Sequence, residues 1–428
     1  MKNILKASLL TYMAIISLHA SEDVVVKNEQ RDSIHSVREA EDSVGKIAEK
    51  DVSTVDSFKR MFNEGKVSGR VRAMYDGYNQ EAIGVDDSYA TSIGGILKYE
   101  LADYKGFNAG VAVYTANNVS FATGSGAKLT TELSSTSGSY TEMAEAYLNY
   151  KYEDFNFRAG RQVLDTPLAD GDDRSMIQNT FNAYVLSYAY LGFEFMAGNI
   201  QSWQGVDADL DLGWSDTGSD GTNFGGVSYS DGLELGVWYY NITKQTNAAY
   251  VEFGGSYDLD EHTNFHAMVQ YLDEKELSAS AIAADIYGAM LEITVHDFGF
   301  GLAYNKSEKK AGRQSFSGFG RGTLFTSMNT MILDEIANDR DAASYVAGVN
   351  YGIGDFGFLY AYGDFEGNKD GAGVKAHIVE QDIGLEYGVN EDLLVSAIYV
   401  ISQDKEFDAK TSYDWQRAEV IVNYNFRY

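Results

Sequence analysis

Charged side chains at regular spacing are what this sequence offers for chemistry. Arg70 and Arg72 stand two apart, and Arg158, Arg417 and Arg427 recur in similar alternating surroundings, with Lys151 shortly before Arg158. Between 163 and 181 lie Asp165, Asp170, Asp172, Asp173 and Arg174, around Pro167, the one proline of the chain. Guanidinium and carboxylate groups facing one another at close range can sort ions and orient dipolar solutes without any covalent step. Pro167 fixes φ and lacks a donor, so it stiffens its segment and forbids ladder pairing there.

Nucleophilic catalysis finds little support. His35, His262, His266, His296 and His377 are not embedded in a motif that supplies a nucleophile. There is no cysteine, which removes disulfides and thiolate metal sites. Asp207, Asp209, Asp211 and Gly213 approach a calcium loop, but the glycine comes one place late and Gly218 stands where the closing Glu is needed. A hydrated acidic loop is the better reading there, and equally for Asp334, Asp339 and Asp341 around Arg340. No catalysis, cofactor or metal is therefore expected.

The elements that must position these charges follow a period of two. In the last segment Val420, Val422, Tyr424, Phe426 and Tyr428 share one face, and Glu419, Ile421, Asn423, Asn425 and Arg427 the other. From Lys66 to Tyr78, Val67, Gly69, Val71, Ala73 and Tyr75 alternate with Ser68, Arg70, Arg72, Met74 and Asp76. Near 140–152, Ala144, Ala146, Leu148, Tyr150 and Tyr152 oppose Glu145, Tyr147, Asn149 and Lys151. A lipid face tolerates Arg70 and Arg72 poorly, so the arginine face is expected to line a lumen, together with Arg158, Arg417 and Arg427. Strict alternation puts Arg161 opposite Arg158 unless the strand has already left the bilayer.

Turn signals alternate between short and long. Short connections are expected near 103–106, 153–154, 191–192, 231–232, 258–263, 297, 354–355 and 390–392. Longer ones fall near 79–88, 118–139, 163–181, 203–222, 244–247, 274–282, 308–341, 366–376 and 403–411. About eighteen strands fit between these breaks, an even number, as a closed barrel with both ends on one side requires. The 31 Tyr, 22 Phe and 43 Gly suit many short strands joined by tight turns.

Residues 1–20 read as a secretory signal: Lys2 and Lys6, an apolar stretch from Leu9 to Leu18, and Ala20 before Ser21. Removing it takes the formal net charge from −30 to −32, which excludes a default grip on nucleic acid and favours cations nearby. Residues 21–53 are charged, with a weak heptad stripe of Val37, Ala40, Val44 and Ile47 that suits a solvated helix. A short amphipathic helix follows, capped at Ser53 or Thr54, with Val55, Phe58 and Phe62 on one face and an end at Gly65.

Several segments resemble the OprD-type outer-membrane porins, substrate-specific channels of Gram-negative bacteria with an eighteen-stranded barrel. Lys66-Val67-Ser68-Gly69-Arg70-Val71-Arg72 is similar to their first strand. Arg158-Ala159-Gly160-Arg161-Gln162-Val163-Leu164-Asp165-Thr166-Pro167-Leu168, continuing through Asp173-Arg174-Ser175-Met176-Ile177-Gln178-Asn179-Thr180-Phe181, is the most specific match. The resemblance implies that 163–181 is an inward-folded third outer loop that narrows the pore. Arg321-Gly322-Thr323-Leu324-Phe325-Thr326-Ser327-Met328 resembles a segment of a later loop that helps form the vestibule. The likeness spans about 54–428.

The expectation is an all-β, transmembrane antiparallel barrel of about 18 strands over 66–428, preceded by a signal at 1–20 and a charged helical periplasmic segment at 21–65. Its constriction and lumen would use Arg70, Arg72, Lys151, Arg158, Arg161, Asp165, Pro167, Asp170, Asp172, Asp173, Arg174, Arg321, Arg417 and Arg427. The function expected is passive, cation-preferring diffusion of small hydrophilic solutes and ions across the outer membrane. The rival readings are a surface or structural barrel and a barrel hydrolase. Expected partners are the lipid bilayer, lipopolysaccharide and the solutes themselves, with monomer and trimer both open.

Overall fold

The computed structural model describes residues 54–320 and 322–428. The expected signal at 1–20, the charged segment at 21–53 and Arg321 lie outside the described residues. The chain enters through helix α1 (Thr54–Asn63) and turns at Gly65 into strands of 8–15 residues. Before the Asp-rich loop these are β1 (Lys66–Gln80), β2 (Ser88–Glu100), β3 (Phe107–Asn118), β4 (Ser139–Tyr152) and β5 (Phe155–Gln162). Two-residue strands β6 (Asp165–Thr166) and β7 (Ala169–Asp170) lie within that loop. Next come β8 (Thr180–Tyr190), β9 (Phe193–Gln204), the short β10 (Ser215–Asp216), β11 (Thr222–Asp231), β12 (Leu233–Ile242), β13 (Thr246–Asp260), β14 (Thr263–Glu276), β15 (Ala284–Val295) and β16 (Phe298–Ser307). Helix α2 (Leu333–Ile336) interrupts the longest loop, and β17 (Ala342–Ile353), β18 (Phe356–Gly367), β19 (Ala376–Gly388), β20 (Leu393–Asp404) and β21 (Trp415–Arg427) complete the sheet.

Every long strand is antiparallel to its neighbours, and β21 pairs with β1 from Ser68↔Arg427 to Gln80↔Trp415, which closes the sheet. The result is an 18-strand barrel with β10 as one extra strand on β9. Closure leaves no long edge with unpaired backbone groups. The alternation of short and long connections holds around the ring.

The outward face is apolar. Val71, Leu97, Leu148, Phe195, Phe253, Leu302, Ile383 and Val422 are all exposed on it. At the short-turn end, cross-strand aromatic pairs form a girdle: Phe107 with Tyr150 at 4.4 Å between ring centres, Phe155 with Tyr188 at 4.3 Å, Phe298 with Tyr351 at 4.2 Å and Phe356 with Tyr387 at 4.5 Å. A continuous greasy band with an aromatic edge suits lipid rather than water, the arrangement of a transmembrane barrel.

The buried core lies inside the barrel, where long loops pack onto the inner wall. One cluster joins Met74, Tyr114, Leu133, Tyr140, Met176 and Ile177 from strands β1, β3 and β4 and the loops 119–138 and 163–179. A larger one joins Leu168, Phe181, Tyr240, Phe319, Leu324, Leu333 and Phe365. Phe58 and Phe62 share a face of α1, as expected, and stack edge-on against each other while exposed; among the described side chains of the helix Met61 is the buried one. The last turn is held through backbone, with Ala102 N–H donating to the Met61 carbonyl and the Tyr99 hydroxyl to that of Phe62.

Candidate functional site: a charged lumen crossed by loops

Period-two alternation places Arg70, Arg72 and Asp76 on the inner face of β1, all under 5% exposed, while Val71 and Tyr75 face out. Closure brings β21 alongside, so Asn423 sits opposite Arg72 and Glu419 opposite Asp76. Arg417 donates from Nε to Asp76 Oδ1 at 2.6 Å and lies 3.0 Å from Glu419 Oε2. Arg72 Nε donates to Asn423 Oδ1 at 2.6 Å.

The loop between β5 and β8 turns into the lumen. Pro167 and Leu168 are the two central residues of a tight turn joining β6 to β7, where Asp165 pairs with Asp170 and Thr166 with Ala169. Proline's fixed φ suits that turn, and its missing N–H leaves no donor stranded. Leu168 N–H reaches the Tyr240 hydroxyl on β12 at 3.4 Å. Further on, Asp173 accepts from Arg70, and the Asp173 and Ser175 carbonyls accept from Arg72 Nη1. Strands β1 and β12 are nearly opposite, with seven strands between them along one arc and nine along the other. The loop therefore bridges the lumen, as the resemblance implied. Arg174 Nε donates to Asp172 Oδ1 at 2.8 Å, and the negative charges of Asp172, Asp207 and Glu419 hold its guanidinium in the charged form.

The loop 308–341 also folds inward. Phe319 exchanges backbone hydrogen bonds with Leu168 and Asp170 at 2.8 and 3.1 Å. Asn329 N–H donates to Asp382 Oδ2 at 3.1 Å, Thr330 N–H to Glu380 Oε1 at 2.9 Å, and Asn329 Oδ1 accepts from Arg417 Nη1 at 3.1 Å. The two loops thus meet inside the barrel, at Leu168–Asp170 and Phe319.

Other expected residues fall elsewhere. Arg158 lines the wall, donating to Asn149 Oδ1 at 3.2 Å with its guanidinium 4.4 Å from the Tyr147 ring centre. Lys151 and Arg427 are exposed on inward positions at the short-turn end. Arg161 pairs across from Ala146 and Asn182, on the face opposite Arg158. It reaches Glu142 Oε1 at 3.0 Å and packs over Trp214, so it stands apart from the arginine cluster as strict alternation requires. The Asp207 loop does not converge on a point: Asp207 accepts from Asn179, Asp209 from the Asp211 N–H and Asp211 from the Thr136 N–H.

Charges that were not singled out complete the wall. Lys98 on β2 lies 3.0 Å from Glu145 Oε2 and 3.7 Å from Glu100 Oε1. Period two in β2, where Lys98 and Glu100 alternate with Leu97 and Tyr99, carried that signal. Inward basic residues of the strands occur on β21, β1, β2, β4 and β5, one contiguous sector. Strands β8 to β20 contain two lysines, Lys275 and Lys306, both on the outer face. Glu234, Glu252, Glu274 and Glu292 face inward from β12 to β15, and His266 lies 3.2 Å from Glu234 and 3.1 Å from Glu292. The lumen therefore has a basic side, itself ion-paired, and an acidic side across from it. Among the described residues, the hydrogen-bond and ion-pair contacts of the His266 and His377 rings are to carboxylates.

No protein-family model and no curated protein sequence matches this chain. Solved structures do share its fold. OccAB2 of Acinetobacter baumannii aligns over 86% of this chain and 99% of its own, with 16% identity and a TM-score of 0.73. OpdK of Pseudomonas aeruginosa, solved with vanillate, aligns over 86% and 100%, with 16% identity and a TM-score of 0.73. OccK9 (OpdG) of Pseudomonas aeruginosa aligns over 86% and 100%, with 13% identity and a TM-score of 0.71. These are OprD-type outer-membrane channels, so the fold is that of the family the sequence resembles.

Proposed function

We propose that this protein is an outer-membrane channel for passive diffusion of small hydrophilic solutes and ions, with a preference for cations. The observation that carries the reading is the loop 163–179 bridging the lumen from Arg70 and Arg72 on β1 to Tyr240 on β12. A loop held across a closed barrel narrows it to an eyelet. Charges on opposite walls then act on a solute within a few ångströms, where water screens them least. Arg70, Arg72, Arg174 and Arg417, with Asp172 and Asp173, form the eyelet in this reading; Arg158 lies on the approach from the short-turn side, and Lys151 and Arg427 at its mouth. Weak, exchangeable hydrogen bonds replace lost water there, which keeps transit fast.

The net charge of −30 and the inward-facing acids Glu234, Glu252, Glu274 and Glu292 from β12 to β15 support the preference for cations. The short-turn end faces the periplasm in this reading, with α1 and the charged segment before it on that side and residues 1–20 as the export signal. The test is single-channel recording of the refolded mature chain in a planar bilayer under a salt gradient. Discrete steps with a reversal potential of cationic sign are expected. A folded barrel that conducts nothing, or one that prefers chloride, overturns the corresponding part of the proposal.

A further inference from the structure

Away from the pore, three ligating side chains converge on the outer surface. Asp364 and Glu366 are two apart on β18 and share a face, and His377 on β19 is the direct cross-strand partner of Glu366. Gly363, Phe365 and Gly367, which alternate with them, are buried against the interior, so the three ligating groups point outward. They sit beyond Tyr360 and Tyr362, near the loop 368–375, at the long-loop end of the barrel and clear of the greasy band.

His377 Nε2 is 3.1 Å from Asp364 Oδ1 and 3.8 Å from Glu366 Oε1, and one donor atom from each of the three lies within 4.8 Å of the others. Tetrahedral binding with bonds of about 2.0–2.2 Å places ligand atoms roughly 3.3–3.5 Å apart. The cluster is thus near that spacing, and Glu366, with a 69% exposed side chain, is free to close the remainder. A histidine–aspartate ion pair needs one carboxylate. Here a second one reaches the same nitrogen.

We propose that Asp364, Glu366 and His377 form a binding site for a divalent transition metal of the zinc class. One imidazole nitrogen with two carboxylate oxygens suits Zn²⁺ or its neighbours, whereas Ca²⁺ and Mg²⁺ take all-oxygen sets. The two carboxylates balance the charge of the ion. A groove of about 230 Å³ alongside, lined in part by Lys306, Asn368, Lys375 and Glu406, leaves room for water at the fourth position. Bound metal would tie β18 to β19 just below the loop 368–375.

The test is calorimetric titration of Zn²⁺ into the detergent-refolded full barrel at pH 7.5. One equivalent is expected to bind. His377→Ala should weaken it at least tenfold, and Asp364→Asn with Glu366→Gln comparably. Ca²⁺ in excess should not compete. Co²⁺ in place of zinc should give visible absorption bands that disappear in the His377→Ala barrel. Heat-modifiable migration on gels verifies that each variant is folded, and His377→Gln is the substitute if the alanine variant is not. Two outcomes overturn the proposal: no stoichiometric binding, or binding that survives the His377 variants and is lost instead in His262→Ala or His266→Ala.

Discussion

Arg70 on β1 and Asp173 in the loop before β8 stand 103 residues apart and form a two-pronged ion pair, Nη1 to Oδ2 and Nη2 to Oδ1. Arg72 reaches the same carboxylate and the backbone beside it. The Arg70 side chain is 3% exposed and that of Asp173 21%. One carboxylate on the loop thus answers two buried guanidinium groups on the wall.

Asp173→Asn should release the loop. Removing one partner of a buried pair costs about 3–5 kcal/mol, because the remaining charge keeps its desolvation without compensation. Faster protease cleavage within 163–179 and noisier, larger conductance steps are expected in the variant. An Arg70→Ala variant should behave similarly, and the double variant should cost less than the two single changes together. Simple additivity would count against the latch.

Deleting Asp165–Arg174 should raise single-channel conductance, since the segment that bridges β1 to β12 is gone. Unchanged conductance in a folded barrel would mean that the loop does not limit flow.

Changing Glu234, Glu252 and Glu292 together to Gln removes three of the four acids of the arc while leaving the arginine sector. The reversal potential under a salt gradient should move toward zero, with conductance changing less. Arg158→Glu should move it the other way. Selectivity that ignores both changes would assign ion choice to the outer loops.

Two acids of the loop 308–341 should respond to pH with opposite sign. Asp339 accepts from the Gly312 and Gly371 N–H groups at 2.6 and 2.7 Å, which, with Lys309 nearby, hold its carboxyl below the usual range. Its contribution is present above about pH 3.9 and lost as pH falls through the lowered value. Asp334 is buried in the same loop, and burial pushes its carboxyl up to about 6. Its contribution is present below the ordinary carboxylate value and lost as pH rises through about 6. Asp334→Asn should therefore protect the loop at pH 7.5, by roughly 1–3 kcal/mol, and change little at pH 4. Asp339→Asn should loosen the loop at pH 7.5. Amide hydrogen exchange at both pH values reads each effect.

Gly95→Val should prevent assembly. Gly95 has φ +140°, and a Cβ there would meet the Arg70 carbonyl oxygen at 1.9 Å. Strands β1 and β2 would have to separate at the point where Arg70 is aimed inward. Loss of heat-modifiable folded barrel is the expected readout, and a normal yield would refute it.

The sequence alone determined what is local. Strand faces follow from period two, because successive side chains point to opposite sides of a pleated strand; hence Arg70, Arg72, Arg158, Arg417 and Arg427 were legible as inward, and Arg161 as their opposite. Turn residues marked the connections, and their number set the strand count. Helix α1 was legible as a helix with Phe58 and Phe62 on one face, but the burial of Met61 depends on what it rests against. Tertiary structure decided the partners. Arg417 meets Asp76 across 341 residues because the sheet closes on itself. Closure also joins β21 to β1 and gathers the basic residues into one sector. That 308–341 folds inward and meets 163–179 at Phe319 is set by where hydrophobic side chains find a wall to bury against, which no local pattern encodes.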